Sequence, residues 1–266
     1  MSIDLLQTLA TEKNFRQDQV FRAWFDVNTD SYEKITTLPK DLREKLKDKP
    51  WLSVKLHTLQ ESKVNNTKKG LFQLEDGMLV EAVLMGRKSL KNEVGPDRHT
   101  ICISSQVGCG MKCVFCATGK FGFARNLTAE EIVDQYRFWQ RYLAEKSGGE
   151  IDNIVVMGQG EPLLNYDNLK TALNIILKYT NIGPSKITMS TCGISSAMDK
   201  MLEDKDFPPV RFALSLHSAI ESVRASIMPS HQPGFLDYLI GWSKKYHQVH
   251  PSRALFIGLE YIMLGG

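Results

Sequence analysis

The stretch CISSQVGCGMKCVFCATG, residues 102–119, sets four of the chain's five cysteines within fifteen positions, directly around the apolar run ICIS (101–104). Further short apolar runs follow at IVVM (154–157), KITM (186–189), RFALS (211–215) and LFIGLEYIML (255–264). Between the first two, Thr128-Ala129-Glu130-Glu131 reads as a capping box, with a hydroxyl for an orphan N–H and a carboxylate three residues on. The helix it opens is expected to bury Ile132, Tyr136, Trp139 and Leu143. Strand and helix alternating at these intervals predict right-handed crossovers and a parallel α/β sheet, either open and doubly wound or curved into a barrel. In both, chemistry gathers where strands end.

The strand ends carry the informative residues. After the cysteine run come Gly158-Gln159-Gly160-Glu161-Pro162, Ser190-Thr191-Cys192-Gly193 and Ser215-Leu216-His217. Each alone has a plain explanation, since glycines make tight turns and a lone histidine at a strand end is more often a hydrogen-bonded structural residue. Their agreement on one rim sets them apart. The glycine segment is no dinucleotide fingerprint, because position 163 is Leu, and it lacks the Lys of a P-loop.

Ahead of the alternating region, residues 1–60 read as a helical module, with Val20 and Trp24, then Phe21 and Phe25, at i,i+4 spacing. Pro39 opens a second segment with Leu38, Leu42 and Leu46 on one face. Residues 61–98 read as a linking region: GLFQLEDGMLVEAVLM suggests a hairpin and the polar run KSLKNEVGPDRH a loop. Residues 99–266 form the sheet. The 33 basic and 30 acidic residues permit a nucleic-acid partner without demanding one. No apolar run approaches the roughly 20 residues that cross a bilayer, and MSIDLLQTLA lacks the basic flank of a leader. A cytoplasmic protein with reduced thiols and no membrane partner is expected.

Cys109, Cys113 and Cys116 form C-x3-C-x2-C with aromatic Phe115 just before the last. A structural disulfide does not suit a reducing compartment. Structural zinc wants four ligands, so Cys102 or His99 would have to supply the fourth. No His-x-Glu accompanies the pair as in zinc deaminases, and a thioredoxin reading leaves Cys109 without a role. Three thiolates suit a 4Fe-4S cluster in which one iron lacks a protein ligand. That iron can chelate S-adenosyl-L-methionine and deliver the electron that cleaves its sulfonium, releasing a 5'-deoxyadenosyl radical.

The cysteine spacing resembles the signature of radical S-adenosylmethionine enzymes. The wider set CISSQVGCGMKCVFCATG, FARNLT, VVMGQGEPLLN, STCGI, SLHSA and YIML resembles the RlmN/Cfr adenine-C2 RNA methyltransferases, from about residue 15 onward. The resemblance implies a partial, TIM-like radical SAM barrel with a small N-terminal helical domain. It assigns the cluster to Cys109, Cys113 and Cys116, the methionine end of the cofactor to Gly160 and Glu161, and further cofactor contacts to Ser190, Ser215, Leu216 and His217. Adenine C2 lies between two ring nitrogens and is too electron-poor to attack a methyl sulfonium, so a radical route is needed. In the family's route a methylated cysteine adds to C2. Resolution then takes a base and a thiol, roles that the resemblance gives to Glu81 and Cys102.

The family's methyl-carrying cysteine lies beyond a sixth strand, and these 266 residues end at Leu264-Gly265-Gly266 before any match to it. Cys192 is no substitute, because the family has no catalytic cysteine at that strand end. The resemblance therefore implies that these residues bind cluster and cofactor but do not complete methyl transfer alone. It also implies 23S ribosomal RNA and tRNA as substrates, each presenting an unstacked adenine, and an electron donor such as flavodoxin. Arg16, Arg22, Lys40, Arg43, Lys45, Lys47 and Lys49 are candidates to grip phosphates, although Asp41, Glu44 and Asp48 interleave with them. Two other readings stand beside this one: adenine-C8 methylation of the Cfr type, which shares the cysteine motif, and a non-catalytic RNA-binding relic with a structural metal.

Overall fold

A computed structural model describes residues 5–87 and 98–263, apart from the side chains of Gln7 and Arg87. The chain begins with helices α1 (Leu5–Ala10), α2 (Asn14–Phe25) and α3 (Lys40–Leu46), followed by strands β1 (Val54–Glu61), β2 (Lys68–Leu74) and β3 (Leu79–Arg87). The expectation of helix as far as residue 60 fails after Leu46. Pro50 cannot continue a helix, and residues 54–61 pair antiparallel with β2 as an edge strand, with a bulge between Leu56 and Thr58. The expected hairpin is β2–β3. Of the expected loop at 88–99, residues 88–97 lie outside the described residues, and Arg98 and His99 start a strand.

That strand is β4 (Arg98–Ile103), and with β7 (Asn153–Val156), β8 (Ile187–Thr191), β9 (Arg211–Ser215) and β10 (Ile257–Glu260) it forms the predicted parallel set. The order β1-β2-β3-β4-β7-β8-β9-β10 joins the antiparallel strands and the parallel set into one eight-stranded sheet. The crossovers pass through α5 (Ala129–Ser147), α6 (Tyr166–Tyr179), α7 (Ser195–Glu203), and α8 (Glu221–Ile227) with α9 (Phe235–Val249). A separate two-stranded sheet, β5 (Gln106–Gly108) and β6 (Phe123–Asn126), brackets the cysteines and the short α4 (Ala117–Phe121).

The two faces of the parallel strands differ. Ile101, Ile103, Ile154, Val156, Ile187, Met189, Phe212 and Leu214 alternate onto the buried face. The registers place Cys102 beside Val83 and Val155, and Ser215 beside Glu260, on the other face. Parallel sheets are usually apolar on both faces. Here the second face carries a thiol, hydroxyls and a carboxylate, as the interior of a partial barrel built around a ligand would.

Helix α5 opens as its sequence predicts. Thr128 Oγ1 accepts from Glu131 N at 3.1 Å, and Glu131 Oε2 accepts from Thr128 N at 2.9 Å. Arg125 on β6 grips the same carboxylate at 2.8 and 2.9 Å, so the helix start also anchors the cysteine hairpin. Replacing Thr128 with Ala removes one cap acceptor and should lower stability by about 1 kcal/mol. The check is a lower urea midpoint with an unchanged denaturant slope.

The N-terminal helices pack on α5 and α6. Phe21 meets Tyr179 at 5.2 Å between ring centroids, while Asp18 bonds the Tyr179 hydroxyl and pairs with Lys178 at 2.8 Å. Beneath them Arg137, 1% exposed, lies over the rings of Trp24 at 4.4 Å and Trp51 at 4.9 Å. Asp134 neutralises it at 2.5 Å and also accepts from Ser53 N and Oγ at 2.6 and 2.8 Å.

Candidate active site

The site grows from the end of β4. Ser104 donates its hydroxyl to the Glu81 carbonyl at 2.6 Å and accepts from Gln159 N at 2.8 Å, which ties together β3, β4 and the segment after β7. The chain then enters β5 and the cysteine loop. Cys109 N donates to the Gly122 carbonyl at 2.8 Å. Gly108 adopts φ +75°, and a Cβ there would lie 1.9 Å from that carbonyl oxygen, so only glycine closes this hairpin. Cys109, Cys113 and Cys116 are free and half-buried. Burial raises the pKa of the Cys109 thiol, and burial together with the neighbouring Cys109 and Cys116 pushes the Cys113 thiol up to about 11.

The segment after β7 is pinned from two sides. Gly160 has φ +101°, and a Cβ would fall 2.5 Å from Gln106 Cβ. Gln106 accepts from Glu161 N at 2.8 Å and donates to Asn126 Oδ1 at 2.8 Å. The Glu161 carboxylate, 3% exposed, accepts from Thr191 Oγ1 at 2.5 Å, Cys192 N at 2.8 Å and Leu163 N at 3.1 Å. Burial pushes this carboxyl above the usual range, against the opposing pull of those donors. Its two oxygens are thus already engaged in fastening β8 to the β7 loop.

Ser190, Ser215, Leu216 and His217 come together at the ends of β8 and β9. Both serine hydroxyls converge on Glu260 Oε2, at 2.5 and 3.1 Å. The Glu260 carbonyl accepts from Leu216 N at 3.1 Å and His217 N at 3.0 Å. His217 has φ +56°, a region non-glycine residues seldom adopt. Its ring meets Phe115 of the cysteine loop edge-on at 4.7 Å, which brings the cysteines against this rim. Burial holds the His217 pKa below the ordinary range, and its buried Nδ1 has no partner among the described residues. A neutral ring with an unsatisfied nitrogen suits a polar ligand.

Glu81 and Cys102 lie on the interior face close to the same rim, the antiparallel register bringing Glu81 level with Ser104, whose hydroxyl bonds the Glu81 carbonyl. Val83 is the register partner of Cys102, and Glu81 stands two residues from Val83 on the same face. Glu81 pairs with Lys69 at 3.0 Å, and burial pushes the Cys102 thiol to about 11.

Sequence reading missed four residues of the site. Glu260 was hidden in an apolar run, where a lone carboxylate at an interior-facing position was its only signal. Gln106 and Asn126 act through side-chain pairing that no spacing announces. Arg224, 1% exposed, donates to the carbonyls of Cys192 at 2.6 Å and Leu216 at 3.2 Å and so braces the β8 and β9 ends.

An eight-stranded α/β sheet with a three-cysteine loop at its rim defines a class, and residues 103–235 match the model of the Radical SAM superfamily. A crystal structure of a radical SAM methyltransferase from Sphaerobacter thermophilus superposes with a TM-score of 0.80 at 32% identity, covering 97% of this chain and 73% of that one. The dual-specificity RNA methyltransferase RlmN of Pelobacter propionicus is 37% identical over 259 residues, 96% of this chain and 69% of that protein. The probable RlmN of Thermotoga maritima is 36% identical over 257 residues, 96% of this chain and 70% of that protein. The chain belongs to the RlmN family of radical SAM methyltransferases.

Proposed function

We propose that this methyltransferase acts on RNA and places a methyl group on C2 of adenine in 23S ribosomal RNA and tRNA, using a 4Fe-4S cluster and S-adenosylmethionine. The observation that carries the reading is the contact of Phe115 with His217, which sets the three cysteines against the polar ends of β8 and β9. The donor set fits a cluster better than a single ion. Among the described residues no three of His, Cys, Asp or Glu are placed to share one metal ion, whereas in a cubane each cysteine takes a different iron.

In this reading Cys109, Cys113 and Cys116 hold the cluster. Bound there, it supplies the electron that cleaves the cofactor's sulfonium. Gly160 and Glu161 line the methionine end, with Glu161 holding the loop's shape through its three donors, and Ser190, Ser215, Leu216 and His217 contact the rest. Glu81, steadied by Lys69, would take the C2 proton, and Cys102 would form a disulfide with the family's methyl-carrying cysteine, breaking its bond to the transferred carbon; these 266 residues hold no match to that cysteine. The helices up to Leu46 are the RNA-contact module, and the expected link at 61–98 instead supplies β2 and β3 to the same sheet as the catalytic barrel of 99–266. Within that module Arg16 and Arg43 are partly committed to the carbonyls of Thr37 and Glu33, and Lys47 to Glu44. Phosphate contact therefore falls chiefly to Arg22, Lys40 and Lys45, all exposed. An electron donor such as flavodoxin completes the system. Among the described residues no helix is long and apolar enough to cross a membrane.

The test is mass spectrometry of 23S rRNA and tRNA from cells with and without the gene. Loss of 2-methyladenosine from either RNA on deletion is expected. Unchanged 2-methyladenosine, or loss of 8-methyladenosine in its place, overturns the proposal.

A further inference from the structure

His231 follows α8 and has no part in the chemistry proposed above, yet its side chain is only 4% exposed and both ring nitrogens are engaged. Nδ1 lies 2.8 Å from Arg224 Nη1, and Nε2 lies 3.2 Å from Glu221 Oε2. A guanidinium can only donate, so Nδ1 must offer its lone pair. Glu221 also accepts from the amides of Leu236 at 3.2 Å and Gly234 at 3.1 Å, which hold its pKa below the usual range. An ionised carboxylate can only accept, so Nε2 carries the proton. The ring is therefore the neutral Nε2–H tautomer.

Arg224 carries this state to the sheet. Its other donors reach the carbonyls of Cys192 at 2.6 Å, Leu216 at 3.2 Å and Ser215 at 3.4 Å, so one guanidinium ties the ends of β8 and β9. Its helix also receives the cysteine loop, since Val114 N donates to the Ile227 carbonyl at 3.0 Å. A proton on Nδ1 would turn the lone pair into a second N–H facing a donor. That breaks the 2.8 Å bond and sets imidazolium against a buried guanidinium. Glu221 faces Nε2, on the opposite edge of the ring, and does not relieve the clash at Nδ1. From α9 the ring meets only Phe235, at 6.5 Å, and at the end of β8 the Cys192 thiol, in contact with Ser230, is kept neutral by burial. We propose that His231 is a positioning residue: as the neutral tautomer it holds Arg224 and, through it, the ends of β8 and β9, and protonation releases them. Its effect on binding rests on the reading of this rim as the S-adenosylmethionine site.

The direct test is nitrogen-15 NMR of the histidine-labelled chain, with the His231 signal identified by its loss in His231→Asn or His231→Phe. The Nε2–H tautomer is expected near neutral pH, and an Nδ1–H ring would overturn the proposal. The functional test is S-adenosylmethionine binding to the anaerobically reconstituted chain from about pH 8 to about pH 5.5, with iron, sulfide and melting temperature measured in parallel. Affinity should fall by about tenfold across that range, as expected for the loss of one charged hydrogen bond. In His231→Asn the amide oxygen takes the place of Nδ1 but does not titrate, so most of that fall should disappear while affinity at the upper pH is kept. His231→Phe has no acceptor and should bind about tenfold more weakly at both ends. If His231→Asn falls as steeply as the unsubstituted chain, or the unsubstituted chain shows no fall with its cluster intact, the proposal is overturned while the cofactor reading stands. If the unsubstituted chain binds no cofactor at any pH, that reading falls and this proposal with it.

Discussion

Cys113→Ala should give a colourless protein. A cubane with three protein ligands leaves its fourth iron for the cofactor, so loss of one thiolate leaves two irons without a protein ligand. After anaerobic reconstitution, iron and sulfide should fall from about four of each per chain to near none. Release of 5'-deoxyadenosine from S-adenosylmethionine under reductant should fall with them. Two controls separate this outcome from a general effect of cysteine loss. Cys192→Ala, at a thiol that the proposed chemistry does not use, should keep its colour. Cys102→Ala should keep both colour and 5'-deoxyadenosine release, because its assigned role comes later. A brown Cys113→Ala protein with full sulfide would remove the basis of the proposed function.

The second large effect concerns stability. Asp134→Ala removes the carboxylate paired with the Arg137 guanidinium between Trp24 and Trp51, and it also leaves both Ser53 donors without their acceptor. Breaking a buried pair on one side costs about 3–5 kcal/mol. For a chain of this size that is a fall in melting temperature of roughly 5–10 °C. The double variant Asp134→Ala/Arg137→Met removes the stranded charge and should recover a good part of the loss. A single variant within 1 kcal/mol of the unsubstituted protein in urea unfolding would mean that water reaches the guanidinium and that the N-terminal helices are not held there.

The contrast between what could be read in the sequence and what could not follows from range. Four of the five parallel strands declared themselves as apolar runs because one face of each is buried, α5 through a capping box that is complete within four residues, and β10 through its apolar composition although none of its four residues is buried. Strand β1 did not, since only Val54 of its eight residues is buried, leaving no alternation to read. The β5–β6 hairpin was equally silent. Its strands are three and four residues long, and it is closed by a backbone approach at Gly108 that only the folded chain reveals. At the site, residues defined by element ends were legible. Glu260, Gln106 and Arg224 reach partners as far as 70, 55 and 32 residues away, and local pattern does not carry that information.

The position of Glu260 couples strand ends that would otherwise be independent. Its main chain holds the Leu216–His217 turn, while its carboxylate gathers the hydroxyls of Ser190 and Ser215. One residue therefore fixes the ends of three neighbouring strands, and whatever disturbs that carboxylate loosens β8, β9 and β10 together.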